Sequence, residues 1–70
     1  MDLKTKIKTL MTITRTTQTD LANKLGKLQQ FISTKLNNID TLRVTELEDI
    51  VNAMGCTVTI TFSLPDGTKF

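Results

Sequence analysis

Apolar positions keep a helical period along the first three quarters of the chain and then switch to a period of two. Leu3, Ile7, Leu10, Met11 and Ile13 recur at spacings typical of one helix face, with lysines between them and Asp2 placed to cap. A first helix is expected over roughly residues 3–14. The run Thr14-Arg15-Thr16-Thr17 interrupts it, because threonine hydroxyls compete for backbone bonds. Thr17 followed three residues later by Asp20 reads as the N-cap of a second helix. Leu21, Ala22 and Leu25 form its apolar stripe, and Gly26 supplies the left-handed residue that closes it and turns the chain sharply.

From Leu28 to about Asn38 a third amphipathic helix is expected. Leu28, Phe31, Ile32 and Leu36 gather on one side, and Gln29, Gln30, Ser33, Thr34 and Asn37 on the other. Asn37-Asn38-Ile39-Asp40-Thr41 reads as a loop, and Thr45-Glu46-Leu47-Glu48 as a capping box for a fourth helix through Leu47, Ile50, Val51 and Met54, ended by Gly55. Beyond it Cys56, Val58, Ile60, Phe62 and Leu64 alternate with Thr57, Thr59, Thr61 and Ser63, which predicts a strand with one apolar face. Pro65-Asp66-Gly67 makes a turn that leaves only Thr68-Lys69-Phe70 to come back. A strand without a local partner invites a second copy, so antiparallel pairing across a two-fold axis is expected, with Val58, Ile60 and Phe62 at the dimer interface. The alternative is a short hairpin closed by the last three residues.

Size and composition point the same way. At 70 residues the chain makes one domain at most, and a domain of that size buries only about 60% of its unfolded surface. One cysteine and no histidine exclude an intrachain disulfide and leave no obvious metal staple, so a second copy is the remaining source of stability. Cys56 alternates with apolar neighbours and reads as a buried, inert thiol rather than a redox sensor; Met11 and Met54 read as core, and Met1 as the start. A lone cysteine, no leader-like apolar run and no membrane-length segment imply a reducing, cytoplasmic location and no membrane partner. The net charge of +2 hides an asymmetry: residues 1–43 carry +5 and residues 44–70 carry −3. A basic first part suits one face turned toward a polyanion; a solvated lysine surface is the plain alternative. No catalytic arrangement, phosphate-cradling glycine loop or metal-ligand cluster is legible, so no enzyme, cofactor or small-molecule substrate is expected.

Two short helices joined by a glycine turn, the second with a polar face free of acidic residues, have the layout of a helix-turn-helix. A glutamine near the start of such a helix can bond adenine through two hydrogen bonds, whereas a carboxylate would be repelled by nearby phosphates. The stretch Thr17-Gln18-Thr19-Asp20-Leu21-Ala22-Asn23-Lys24-Leu25-Gly26 with Gln29-Gln30 resembles the phage-repressor class of helix-turn-helix proteins, the Cro and xenobiotic-response-element family. Arg43-Val44-Thr45-Glu46-Leu47-Glu48-Asp49-Ile50 is similar to the family's fourth-helix opening, so the resemblance covers roughly residues 3–55.

The resemblance implies a mainly α fold of four to five helices over residues 1–55, followed over 56–70 by a C-terminal strand or short hairpin used for dimerisation. It implies a transcriptional regulator of phage or bacterial origin, a repressor, binding double-stranded DNA as a homodimer. On that reading Gln29, Gln30 and Thr34, then Ser33 and Asn37, contact bases, while Gln18, Lys27, Lys35, Asn38 and Arg43 contact phosphates. Two positions depart from the family. Lys27-Leu28 stands where an apolar turn residue and a Ser or Thr cap are usual, with Leu28 the candidate for the apolar role. Phe31 replaces a small polar residue, and its options are packing inward, touching a thymine methyl or joining a protein-binding surface. The competing class is a protein-interaction module on the same fold, such as an antitoxin-like partner or an inhibitor of a host complex.

Overall fold

The computed structural model describes residues 2–70; Met1, read above as the start, lies outside the described residues. The chain is mainly helical: α1 (Leu3–Thr14), α2 (Gln18–Leu25), α3 (Gln29–Asn37), a 3₁₀ turn (Ile39–Thr41) and α4 (Val44–Ala53). No helix among the described residues is long and apolar enough to cross a membrane.

Capping chemistry sets most of these limits. Asp2 accepts the Thr5 N–H at 2.8 Å and starts α1. Near its end Thr12 and Thr14 bend their hydroxyls back to the carbonyls of Lys8 and Leu10, which weakens continuation of the helix. The expected cap of α2 is present in both halves: the Asp20 N–H donates to Thr17 Oγ1 at 3.1 Å, and the Thr17 N–H to the Asp20 carboxylate at 2.9 Å. Gly26, at φ 65, closes α2 as expected.

For α4 the capping box expected at Thr45 and Glu48 is corrected. The helix begins two residues earlier, with Arg43 at the cap and the Glu46 carboxylate accepting the Arg43 N–H at 2.9 Å. A guanidinium has no acceptor, so only this half of a box exists. The expected loop before it tightens into the 3₁₀ turn, with Asn38 donating to the Thr34 carbonyl and Thr41 to the Asn38 carbonyl.

The core gathers Ile7, Leu21, Ala22, Ile32, Leu36, Ile50, Val51 and Met54. Leu21 and Ile32 are sealed completely, each contributing about 2 kcal/mol of transfer free energy. Several expected core members face out instead. Ile13 is 71% exposed because Thr14 takes the inward place on the last turn of α1, and Leu28 is 78% exposed, outside the apolar face assigned to it.

The expected C-terminal strand is likewise not formed: the described residues contain no strand, and one isolated antiparallel bridge joins Ser63 and Lys69. Phe62 and Phe70 exchange both backbone bonds around it, at 2.6 and 2.9 Å, and the Leu64 N–H donates to Thr68 at 2.7 Å. The last residues therefore close a short, lopsided hairpin. A ladder needs a second strand, and three returning residues cannot supply one for Cys56 to Thr61. Val58 is half-buried against the chain's own core, while everything from Thr59 on is exposed. The radius of gyration, 13.4 Å, exceeds the roughly 11 Å of a compact chain this long. The hairpin accordingly stands off a helical body as an arm.

Candidate nucleic-acid interface

The outward side of α3 follows from its buried side. Ile32 and Leu36 are buried. At about 100° per residue Thr34 points directly away from them, with Gln30 and Asn37 to one side of it and Phe31 to the other. Ser33 and Lys35 fall on the flanks and are half-buried, and Gln29 is exposed on the first turn. This corrects the sequence reading of Phe31: it does not pack inward but is 39% exposed beside the polar residues.

The start of α3 is open to an anion. Leu28 occupies the cap without a side-chain bond, as its chemistry required. The first backbone bonds of the helix are made by the N–H groups of Phe31 and Ile32, which leaves those of Gln29 and Gln30 without an acceptor among the described residues. Side-chain hydrogen bonds around α3 run from Asn38 to Thr34 O, from Thr41 to Asn38 O and from Lys35 to Glu46; the amides of Gln29, Gln30 and Asn37 enter none of them.

Cations stand on both sides of this face, with different freedom. Toward α4, the ammonium groups of Lys27 and Lys35 sit 5.4 and 5.7 Å from the centroid of the Phe31 ring, a cation–π arrangement. Lys35 is also paired with Glu46 at 3.2 Å. The Arg43 N–H bond, then Lys35, hold the Glu46 carboxyl below its ordinary range. Lys35 is thus engaged within the molecule, as is the Asn38 amide that caps α3. Lys27 and Arg43 are exposed and make no ion pair among the described residues. Phe31 lines a groove together with Leu25, Ile32, Leu42 and Ile50, and Lys27, Lys35, Glu46 and Asp49 line it too.

On the opposite flank an open cleft runs between the end of α1, the start of α2 and the end of α3. It brings Gln18 and Asn37 together with Lys8 and Arg15, and no carboxylate lines it. Sequence reasoning selected the two amides and missed the two cations. The spacing from Lys4 through Lys8 to Arg15 would have marked one face of α1, but nothing in it says that this face meets α3. Of the residues expected at a dimer interface, Ile60 and Phe62 are 52% and 63% exposed on the arm, whereas Val58 is half-buried against the core. Cys56 is a half-buried free thiol whose Sγ lies 3.6 Å from the Met54 carbonyl.

No protein-family model, no curated protein and no solved structure matches this chain. Its functional reading therefore rests on its own residues and their arrangement.

Proposed function

We propose that this chain is a sequence-specific DNA-binding regulator of the phage-repressor helix-turn-helix class, working as a homodimer. The observation that carries the reading is the outward face of α3. Gln30, Thr34 and Asn37 form a surface without a carboxylate, with Gln29 exposed on the first turn beside it; the amides are free of intramolecular bonds, and the first N–H groups of the helix have no acceptor among the described residues. Amides of this kind match the donor and acceptor edge of adenine in the major groove, and a free helix start favours a phosphate. Lys27 and Arg43 supply charge beside it. Lys35 and Asn38, already bonded within the molecule, contribute less.

Dimerisation is assigned to the arm, whose exposed Ile60, Phe62, Leu64 and Phe70 are too many apolar groups for so small a body to leave in water. Two recognition helices then enter successive major grooves about 34 Å apart on a palindromic site, and the bound dimer represses by blocking polymerase.

One observation favours the protein-interaction reading, namely a groove lined by the aromatic ring of Phe31, by apolar side chains and by groups of both charge signs. Affinity for a labelled duplex across a salt series separates the two. Six phosphate contacts predict a loss of roughly three decades between 50 and 200 mM salt. A flat response, or no duplex binding at the lower salt, contradicts the DNA reading.

A further inference from the structure

Three helix ends among the described residues use one backbone device. At each, a left-handed residue lets the next N–H reach a carbonyl five residues back: Thr16 to Met11 at 2.9 Å, Lys27 to Ala22 at 2.9 Å, and Cys56 to Val51 at 3.1 Å. Two of the left-handed residues are glycines, Gly26 at φ 65 and Gly55 at φ 76. The third is Arg15 at φ 55, the one non-glycine residue with positive φ among the described residues. A side chain there strains the backbone, so glycine would be the better choice for folding. Arg15 gives nothing back structurally: it is exposed, and the one ion pair among the described residues lies elsewhere, between Lys35 and Glu46.

What Arg15 does have is a place in the cleft beside α3. Lys8 lies on the same side of α1, and Gln18 and Asn37 contribute amides from α2 and α3. The nearby carboxylate of Asp20 is turned back onto the Thr17 N–H. The backbone N–H groups of Gln18 and Thr19 have no acceptor among the described residues. Two cations, two amides and no carboxylate around an open cleft make a cradle for a singly charged tetrahedral anion.

We infer that the phosphodiester expected at Gln18 is held in this cleft chiefly by Arg15, with Lys8 beside it, across α3 from Lys27 and Arg43. The inference rests on the DNA-binding reading and adds a contact to it. A duplex gripped on both sides of α3 fixes how that helix sits in the groove.

The experiment measures affinity for a labelled duplex of random sequence across a chloride series, for wild type, Arg15→Gly and Arg15→Lys. Arg15→Gly is expected to lower the salt slope by about 0.9, the share of one phosphate, and to melt a few degrees higher as the backbone strain is relieved. Arg15→Lys is expected to keep the slope. If wild type binds with a steep slope and Arg15→Gly matches it, the cleft assignment falls while the DNA reading stands. If wild type shows no salt-dependent binding, both fall. Inorganic phosphate at matched ionic strength is expected to move the melting temperature of wild type no more than that of Arg15→Gly. A rise in wild type alone would make the cleft a site for the free anion and overturn its assignment to the DNA backbone.

Discussion

Replacing Phe62 by alanine tests whether the arm is a dimer element. The ring is 63% exposed and meets that of Phe70 with centroids 6.1 Å apart, tilted by 35°. A phenylalanine side chain offers about 200 Å², so about 130 Å² of this one remains in water. Covering that area contributes about 3 kcal/mol at 25 cal/mol per Å². In a two-fold dimer the same residue is covered twice, so the full loss approaches ~6 kcal/mol, about four decades in dimer affinity; half the cover still costs about two decades. Phe62 belongs to no part of the buried core, so the helical signal in circular dichroism should survive the substitution. Sedimentation equilibrium across roughly 1–100 µM reads the effect, and the melting temperature should rise with concentration for wild type only. A wild type and a Phe62→Ala variant with the same average mass at every concentration would refute the reasoning, as would a wild type that stays monomeric at the top of the range.

Leu28→Ser should stabilise the fold by about 1 kcal/mol, because it gives α3 the side-chain cap it lacks while removing a side chain that is 78% exposed; denaturant midpoints check this, and a lower midpoint contradicts it. Acid should destabilise the chain from about pH 4 downward. The carboxyls of Asp2, Asp20, Glu46 and Asp66 are held below their ordinary range, chiefly by hydrogen bonds from Thr5, Thr17, Arg43 and Thr68 respectively. Their contribution is complete above the unfolded pKa values and disappears as pH falls through the lowered folded ones. With no histidine in the chain, stability should change little between pH 5 and 8, and a melting temperature that moves strongly within that window would contradict this account.

The helical body was legible in the chain because its signals are local. Thr17 and Asp20 sit three apart and cap each other, and Gly26 marks a left-handed closure that glycine alone adopts without strain. Where a signal depended on exception or distance, it was lost. The closure at Arg15 uses the same geometry as Gly26 without the residue that announces it. Phe31 lies between inward Ile32 and outward Thr34 on a helix of nine residues, and only the position of α4, with Glu46 drawing Lys35 across, shows which side its ring takes. The alternation from Cys56 to Leu64 encodes a ribbon with two unlike faces. It does not encode a partner, and within one chain three returning residues give a single bridge instead of a strand. Of the candidate site, the amide face of α3 was readable from composition and period. The division of cations into Lys35, paired with Glu46, and Lys27 and Arg43, which carry no ion pair among the described residues, was not, because it rests on a contact between residues far apart in sequence.

The central claim is that α3 reads DNA sequence, and selection of bound sequences from a random duplex library at fixed salt tests it most directly, with Gln29→Ala and Gln30→Ala run beside wild type. Wild type should enrich a palindrome, and each variant should relax the preference at the positions its glutamine reads, each lost contact costing about 1–3 kcal/mol of discrimination. No enrichment by wild type, or one that both variants reproduce unchanged, would contradict it.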